Sequence, residues 1–120
     1  MLQHELDSSV GVITVTPSGE LAAEDFRALT DVIDEYSATE GPLRRVLIQA
    51  EDFPGWDSFG ALFQHLKFIR EQRDRVEKVA AVTDSGFLTI MPHFIDHFVR
   101  AEVRHFPYEE KDAAWEWLIS

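Results

Sequence analysis

The sequence predicts an α/β domain: a central, mostly parallel five-stranded sheet with about four helices, in the order ββαβαβαβα. Three observations lead there. Short runs of β-branched or apolar residues, Val10–Val15, Val46–Ile48 and Val79–Val82, have the length and composition of strands buried in a sheet. Segments with apolar residues three and four apart follow them, which is the period of a helix packed on one face. Turn signals such as Thr16-Pro17-Ser18-Gly19 and Gly41-Pro42 separate the two kinds of segment. The alternation of strand and helix calls for right-handed crossovers between parallel neighbours. At 120 residues, 45% of them hydrophobic, with nine Phe and three Trp, the chain suits one domain spanning residues 1–120 with a core of its own. No repeat, linker or low-complexity segment interrupts it.

The elements follow in order. Leu2–Leu6 is a strand that pairs with Val10–Val15. From Ala22 the apolar positions Ala22, Phe26, Leu29, Ile33 and Tyr36 mark a helix with an acidic outer face, ended by Gly41-Pro42. Val46–Ile48 is a buried strand, Asp52–Asp57 a connection, and Ser58–Arg70 a second helix. Val79–Val82 repeats the strand, and a third helix runs near Thr89–Arg100. There Pro92 falls in the first turn if Thr89 is the N-cap, a place where proline removes no helical hydrogen bond. Glu102–Phe106 is the last strand and Glu109–Leu118 the last helix. In such sheets ligands favour the carboxyl ends of the strands, here Asp52–Ser58, Thr83–Leu88 and Pro107–Glu109.

Composition excludes several classes of function. Eleven basic against twenty-two acidic residues give a net charge of -11, so the chain lacks the excess of cations that general binding to nucleic acid requires. Residues 1–60 hold twelve of the acids and three of the bases, so an anionic partner would approach the second half. With no cysteine there is no disulfide, thiol nucleophile or thiolate metal site. The start MLQHELDSS lacks the basic flank and apolar run of a signal peptide, and no apolar run approaches the roughly 20 residues that span a bilayer. A cytoplasmic protein is expected. G-x-S-x-G, P-loop and G-x-G-x-x-G patterns are all missing, so no cofactor is expected.

The loop Glu51-Asp52-Phe53-Pro54-Gly55-Trp56-Asp57-Ser58 crowds acids, aromatics and a hydroxyl at a strand's carboxyl end. Val46-Leu47-Ile48 followed by Asp57-Ser58-Phe59-Gly60 resembles the STAS domain of bacterial anti-sigma factor antagonists, whose strand leads into Asp-Ser-Ser/Thr-Gly; Phe59 replaces the small hydroxyl residue. A closer resemblance, over nearly the whole chain, is to the SpoIIAA-like, or STAS-like, group of small bacterial proteins. It rests on Phe53-Pro54-Gly55-Trp56, Ala80-Ala81-Val82-Thr83-Asp84, Ala101-Glu102-Val103-Arg104-His105-Phe106 and Ala113-Ala114-Trp115-Glu116-Trp117-Leu118. The resemblance implies the α/β plan already read from the pattern. By way of the antagonists it also implies a regulatory module that binds a partner protein and is switched by phosphorylation at Ser58. Without that resemblance, Asp57 or Ser58 is read as the cap of the second helix.

Two further features point to an apolar or amphipathic ligand and a membrane surface. The second helix has a core stripe of Phe59, Leu62, Phe63, Leu66 and Ile69, yet Phe68 lies on the opposite side. Around it stand Lys67, Arg70, Arg73, Arg75 and Lys78, an apolar anchor among cations suited to anionic headgroups; packing against a neighbouring helix or a dimer mate is the alternative. In the third helix, Leu88, Ile90, Met91, Phe94, Ile95, Phe98 and Val99 spread over about half the circumference, more than one sheet contact needs. Phe59, Phe63, Phe87, Met91 and Phe94 are therefore expected to line a pocket for a lipid-like molecule, with Trp56 and His93 at its mouth; a thick, fully packed core would use the same residues. Similar folds include the CRAL-TRIO lipid-binding domains, an analogy of fold alone. Lys67, Phe68, Arg70, Arg73 and Arg75 would make a reversible contact with the inner membrane surface.

His93 and His97 stand four apart, but without a third ligand they do not make a metal site. A hydrolase built on Ser58 would need a histidine brought to it by the fold. The expectation is of a non-enzymatic protein with no catalytic residue and no metal. Its apolar helix surface is compatible with a homodimer.

Overall fold

The computed structural model describes residues 2–18, 23–41, 43–50, 76–84 and 102–120. Within them five strands form one sheet: β1 (Leu2–Asp7), β2 (Val12–Pro17), β3 (Arg45–Gln49), β4 (Lys78–Val82) and β5 (Glu102–Phe106). They lie side by side in chain order. β1 runs antiparallel to β2, with Leu2 opposite Pro17 and Asp7 opposite Val12. The pairings β2–β3, β3–β4 and β4–β5 are parallel. Helix α1 (Ala23–Glu40) connects β2 to β3, and a 3-10 turn (Tyr108–Glu110) leads from β5 into helix α2 (Lys111–Ile119). This is the mixed α/β fold with a five-stranded, mostly parallel sheet that the sequence predicts.

Strand alternation splits the core into two layers. Ile13, Val15, Val46, Ile48, Val79 and Ala81 face α1, where Leu29 and Ile33 pack on them with Leu43 and Val76. Val12, Leu47, Ala80, Val82 and Phe106 face the other way and are covered by Ala114 and Leu118 of α2. β3 and β4 supply buried residues to both layers, which is why their sequences read as unbroken apolar runs. The edge strands β1 and β5 alternate buried with exposed positions.

The predicted boundaries shift where backbone geometry, rather than pattern, decides. Val10 is not in the strand: Gly11 adopts φ +67° and closes a turn by donating its N–H to the Asp7 carbonyl at 2.9 Å. The Asp7 carboxylate caps the same turn, accepting from Ser9 N at 3.1 Å and Ser9 Oγ at 2.5 Å. β2 therefore starts at Val12. The first helix, by contrast, ends where the Gly41-Pro42 signal predicts: it runs to Glu40 and stops at Gly41, whose φ of +89° suits a helix end in the left-handed region. The last helix is preceded by a 3-10 turn because Pro107, φ -57° and ψ 151°, holds the chain extended just before it.

Lys78 locks α2 to the sheet. Its Nζ donates to the carbonyl of Trp117 at 3.0 Å and to the carbonyl and hydroxyl of Ser120 at 3.3 and 3.1 Å. The ammonium meets the negative end of the helix dipole and lies 5.2 Å from the Trp117 ring centroid. The exposed Arg44–Glu77 ion pair, at 2.7 Å, contributes little by comparison. Among the described residues no helix is long and apolar enough to cross a membrane.

Candidate functional site at the carboxyl end of the sheet

Three parallel pairings bring the carboxyl ends of β2, β3, β4 and β5 to one rim, with Gln49 opposite Val82 and Val82 opposite Phe106. The ladder continues past the strands: Ala50 N donates to Val82 O at 3.0 Å, and Thr83 N to Phe106 O at 3.0 Å. The stretches that leave β3, β4 and β5 thus begin side by side, at Ala50, Thr83 and Pro107.

Polar side chains tie the rim together. Gln49 Nε2 donates to Thr16 Oγ1 at 3.1 Å, joining β3 to β2. His105 Nε2 lies 2.9 Å from the Thr83 carbonyl. A carbonyl only accepts, so Nε2 carries the proton there. Thr83 is fully buried, the one polar residue so placed among the described residues. Next to it Asp84 is exposed, and its Oδ1 accepts the Tyr108 N–H at 3.2 Å, fastening the exit of β4 to the turn before α2. The rim is therefore braced by backbone and side-chain hydrogen bonds while Asp84, Pro107 and Glu109 remain open to solvent. The sequence points to the loops after Val82 and Phe106 as neighbours. It does not reveal the Asp84–Tyr108 and His105–Thr83 contacts, which depend on the register of β4 against β5.

The residues proposed from sequence for ligand contact (Trp56, Phe59, Phe63, Phe87, Met91, His93 and Phe94), for membrane contact (Lys67, Phe68, Arg70, Arg73 and Arg75) and for phosphorylation (Ser58) all lie outside the described residues. So does His97. What the structure does fix is the points of departure. The segment holding Trp56 and Ser58 follows Ala50, and the segment holding Phe87, Met91 and His93 follows Asp84, both at this rim. Among the described residues no group of three or more His, Asp or Glu side chains is placed to hold a metal ion.

A second feature escaped the sequence reading. α2 covers the sheet face of Leu47, Ala80, Val82 and Phe106, but over β1, β2 and the end of β3 that face is polar. Gln3, His4, Glu5, Thr14, Thr16 and Gln49 line an open recess of about 430 Å³ there. The alternation of Thr14 and Thr16 with Ile13 and Val15 is its signature in the sequence.

Fold and rim together define a class: a small α/β domain whose chain-ordered, mostly parallel sheet presents its carboxyl-end loops as one braced edge. The SpoIIAA-like family model matches residues 12–119, and the chain belongs to that family. The match covers every strand but β1 and includes all the sequence motifs on which the resemblance rested. No curated protein matches the chain.

Proposed function

We propose that this chain is a non-enzymatic regulatory module that binds a partner protein at the carboxyl rim of its sheet and is switched by phosphorylation of Ser58. The observation that carries the reading is the anchoring of Ala50 to Val82, which starts the Asp57-Ser58 segment from the rigid centre of the rim. Asp84 and Glu109 make the described part of that rim acidic. A phosphoserine adds a charge of about -1.5 to -2, enough to change which charges a partner must present. Family membership supports a module of the STAS type.

The test is phosphopeptide mass spectrometry on the protein recovered from its own host, together with co-purification of partners by Ser58→Ala and Ser58→Asp. Phosphate on Ser58, and a partner held by one variant and lost by the other, is the expected result. Unmodified Ser58 under all growth conditions, with identical partners for both variants, would overturn the reading.

The apolar stripes of residues 58–70 and 89–100 support a second reading, a lipid-like ligand held between those segments with Phe68 and its basic neighbours touching a membrane. Native mass spectrometry of protein purified without detergent should then show a stoichiometric adduct released on denaturation. Liposome co-sedimentation should be lost in Phe68→Asp. A clean apo mass and unchanged sedimentation would remove this reading and leave the first intact.

A further inference from the structure

At the end of the sheet away from the rim, the turn between β1 and β2 meets the end of α1 and the start of β3. The β2–β3 register sets Arg45 beside Val12, directly after that turn. Where the three meet lies an open recess of about 220 Å³, lined by Ser8 and Ser9 of the turn, Tyr36 and Glu40 of α1, and Arg44 and Arg45. Ser8, Ser9, Glu40 and Arg44 are exposed, so the recess opens to solvent.

Two charges in this lining are left over. Arg44 is matched by Glu77, Nη1 to Oε1 at 2.7 Å. Arg45 is half-buried, and its one hydrogen bond, from Nη1 to the Val10 carbonyl at 2.6 Å, goes to a neutral acceptor. Glu40 makes no hydrogen bond or ion pair among the described residues. The recess therefore presents one guanidinium and one carboxylate, too far apart to pair with each other. Glu40 also closes α1, whose last turn holds no basic residue, so the carbonyl end of the helix dipole adds to its attraction for a cation. Ser8 Oγ and Tyr36 Oη, without hydrogen bonds among the described residues, line the same space as spare donors and acceptors.

An anion alone would be opposed by Glu40 and a cation alone by Arg45, whereas a molecule carrying both charges satisfies the two. We propose that the recess binds a small zwitterion of amino-acid type, its carboxylate on the Arg45 guanidinium and its ammonium on Glu40. The planar fork of arginine donors matches the two oxygens of a carboxylate. With Nη1 already held by Val10, that fork is oriented before the ligand arrives. The site stands at the opposite end of the strands from the rim and does not rest on the Ser58 reading.

The experiment titrates the isotope-labelled full chain, at constant ionic strength, with glycine, β-alanine and γ-aminobutyrate, which differ in the separation of their charges. Acetate and methylammonium are the single-charge controls. Amide and arginine side-chain NMR should show saturable shifts at Ser8–Gly11, Glu40 and Arg45 with at least one zwitterion, and either control should bind about ten-fold more weakly. Glu40→Gln and Arg45→Gln should each weaken the zwitterion by about ten-fold. Glu40→Gln should at the same time strengthen acetate, a change of selectivity that a merely structural role would not produce. Glu40 is exposed and unbonded, so its variant tests the site even if loss of the Val10 bond unfolds Arg45→Gln. Acetate bound as tightly as the best zwitterion, unchanged affinity in Glu40→Gln, or no saturable shift with any of the three zwitterions would overturn the proposal.

Discussion

Gly11→Ala tests the turn that sets the register of β1 on β2. Gly11 sits at φ +67°, and a Cβ built on it would lie 2.9 Å from Tyr36 Oη, with the next atom, Cζ, at 4.0 Å. Two costs follow. Alanine in the left-handed region loses about 1–2 kcal/mol. Tyr36 must also swing its hydroxyl away, an off-rotamer shift of about 0.5–1.5 kcal/mol. Against them, alanine restricts the unfolded chain and recovers about 0.4–1 kcal/mol. The net expectation is a loss of about 1–3 kcal/mol, a fall of roughly 1 M in the urea midpoint at the m-values usual for small domains.

Tyr36→Phe separates the two costs, because it removes the one atom in close contact and leaves the other at an ordinary distance. The Tyr36 hydroxyl makes no hydrogen bond among the described residues, so Tyr36→Phe alone should be nearly neutral. In that background Gly11→Ala should cost less by the contact term, a coupling of about 0.5–1.5 kcal/mol in the double-mutant cycle. Urea unfolding followed by tryptophan fluorescence reads all four proteins. An equal penalty in both backgrounds would refute the contact with Tyr36. No penalty in either would refute the left-handed backbone at Gly11.

Two other substitutions probe the α2 layer. Leu118 is fully buried beneath α2, so Leu118→Ala should cost about 2–5 kcal/mol in the same unfolding assay; a loss below about 1 kcal/mol would mean that α2 is not seated as described. Lys78→Met keeps the aliphatic stem and removes the charge that caps α2, and should cost about 1 kcal/mol at low salt. Amide exchange should rise in the last turn of α2 alone; uniform exchange across the helix in both proteins would show that the cap holds nothing.

The parts of this fold that were legible in the sequence are those in which side-chain pattern and backbone state coincide. Val46–Ile48 and Val79–Val82 could be nothing but buried strands once flanked by helical periodicity, and their burial on both faces follows from it. Val10 shows where pattern misleads. It continues the β-branched run VGVITV, yet the positive φ at Gly11 takes it out of the ladder, and no side chain announces that angle. The rim was legible as a place, because parallel strands must end together, but not as a set of contacts. His105 could be paired with the Thr83 carbonyl only once Val82 was known to lie opposite Phe106.

The open sheet face was hidden for another reason. A nine-residue helix cannot cover five strands, and nothing in its own sequence says which ones it leaves bare. Ala114 and Leu118 place it over β3, β4 and β5, while the polar positions Gln3, Glu5, Thr14 and Thr16 of β1 and β2 on that face line the recess. Rim and recess then turn out to be neighbours. Gln3 stands opposite Thr16 across the β1–β2 pair, Thr16 Oγ1 accepts from Gln49 on β3, and Gln49 directly precedes Ala50, where the segment bearing Ser58 leaves the sheet.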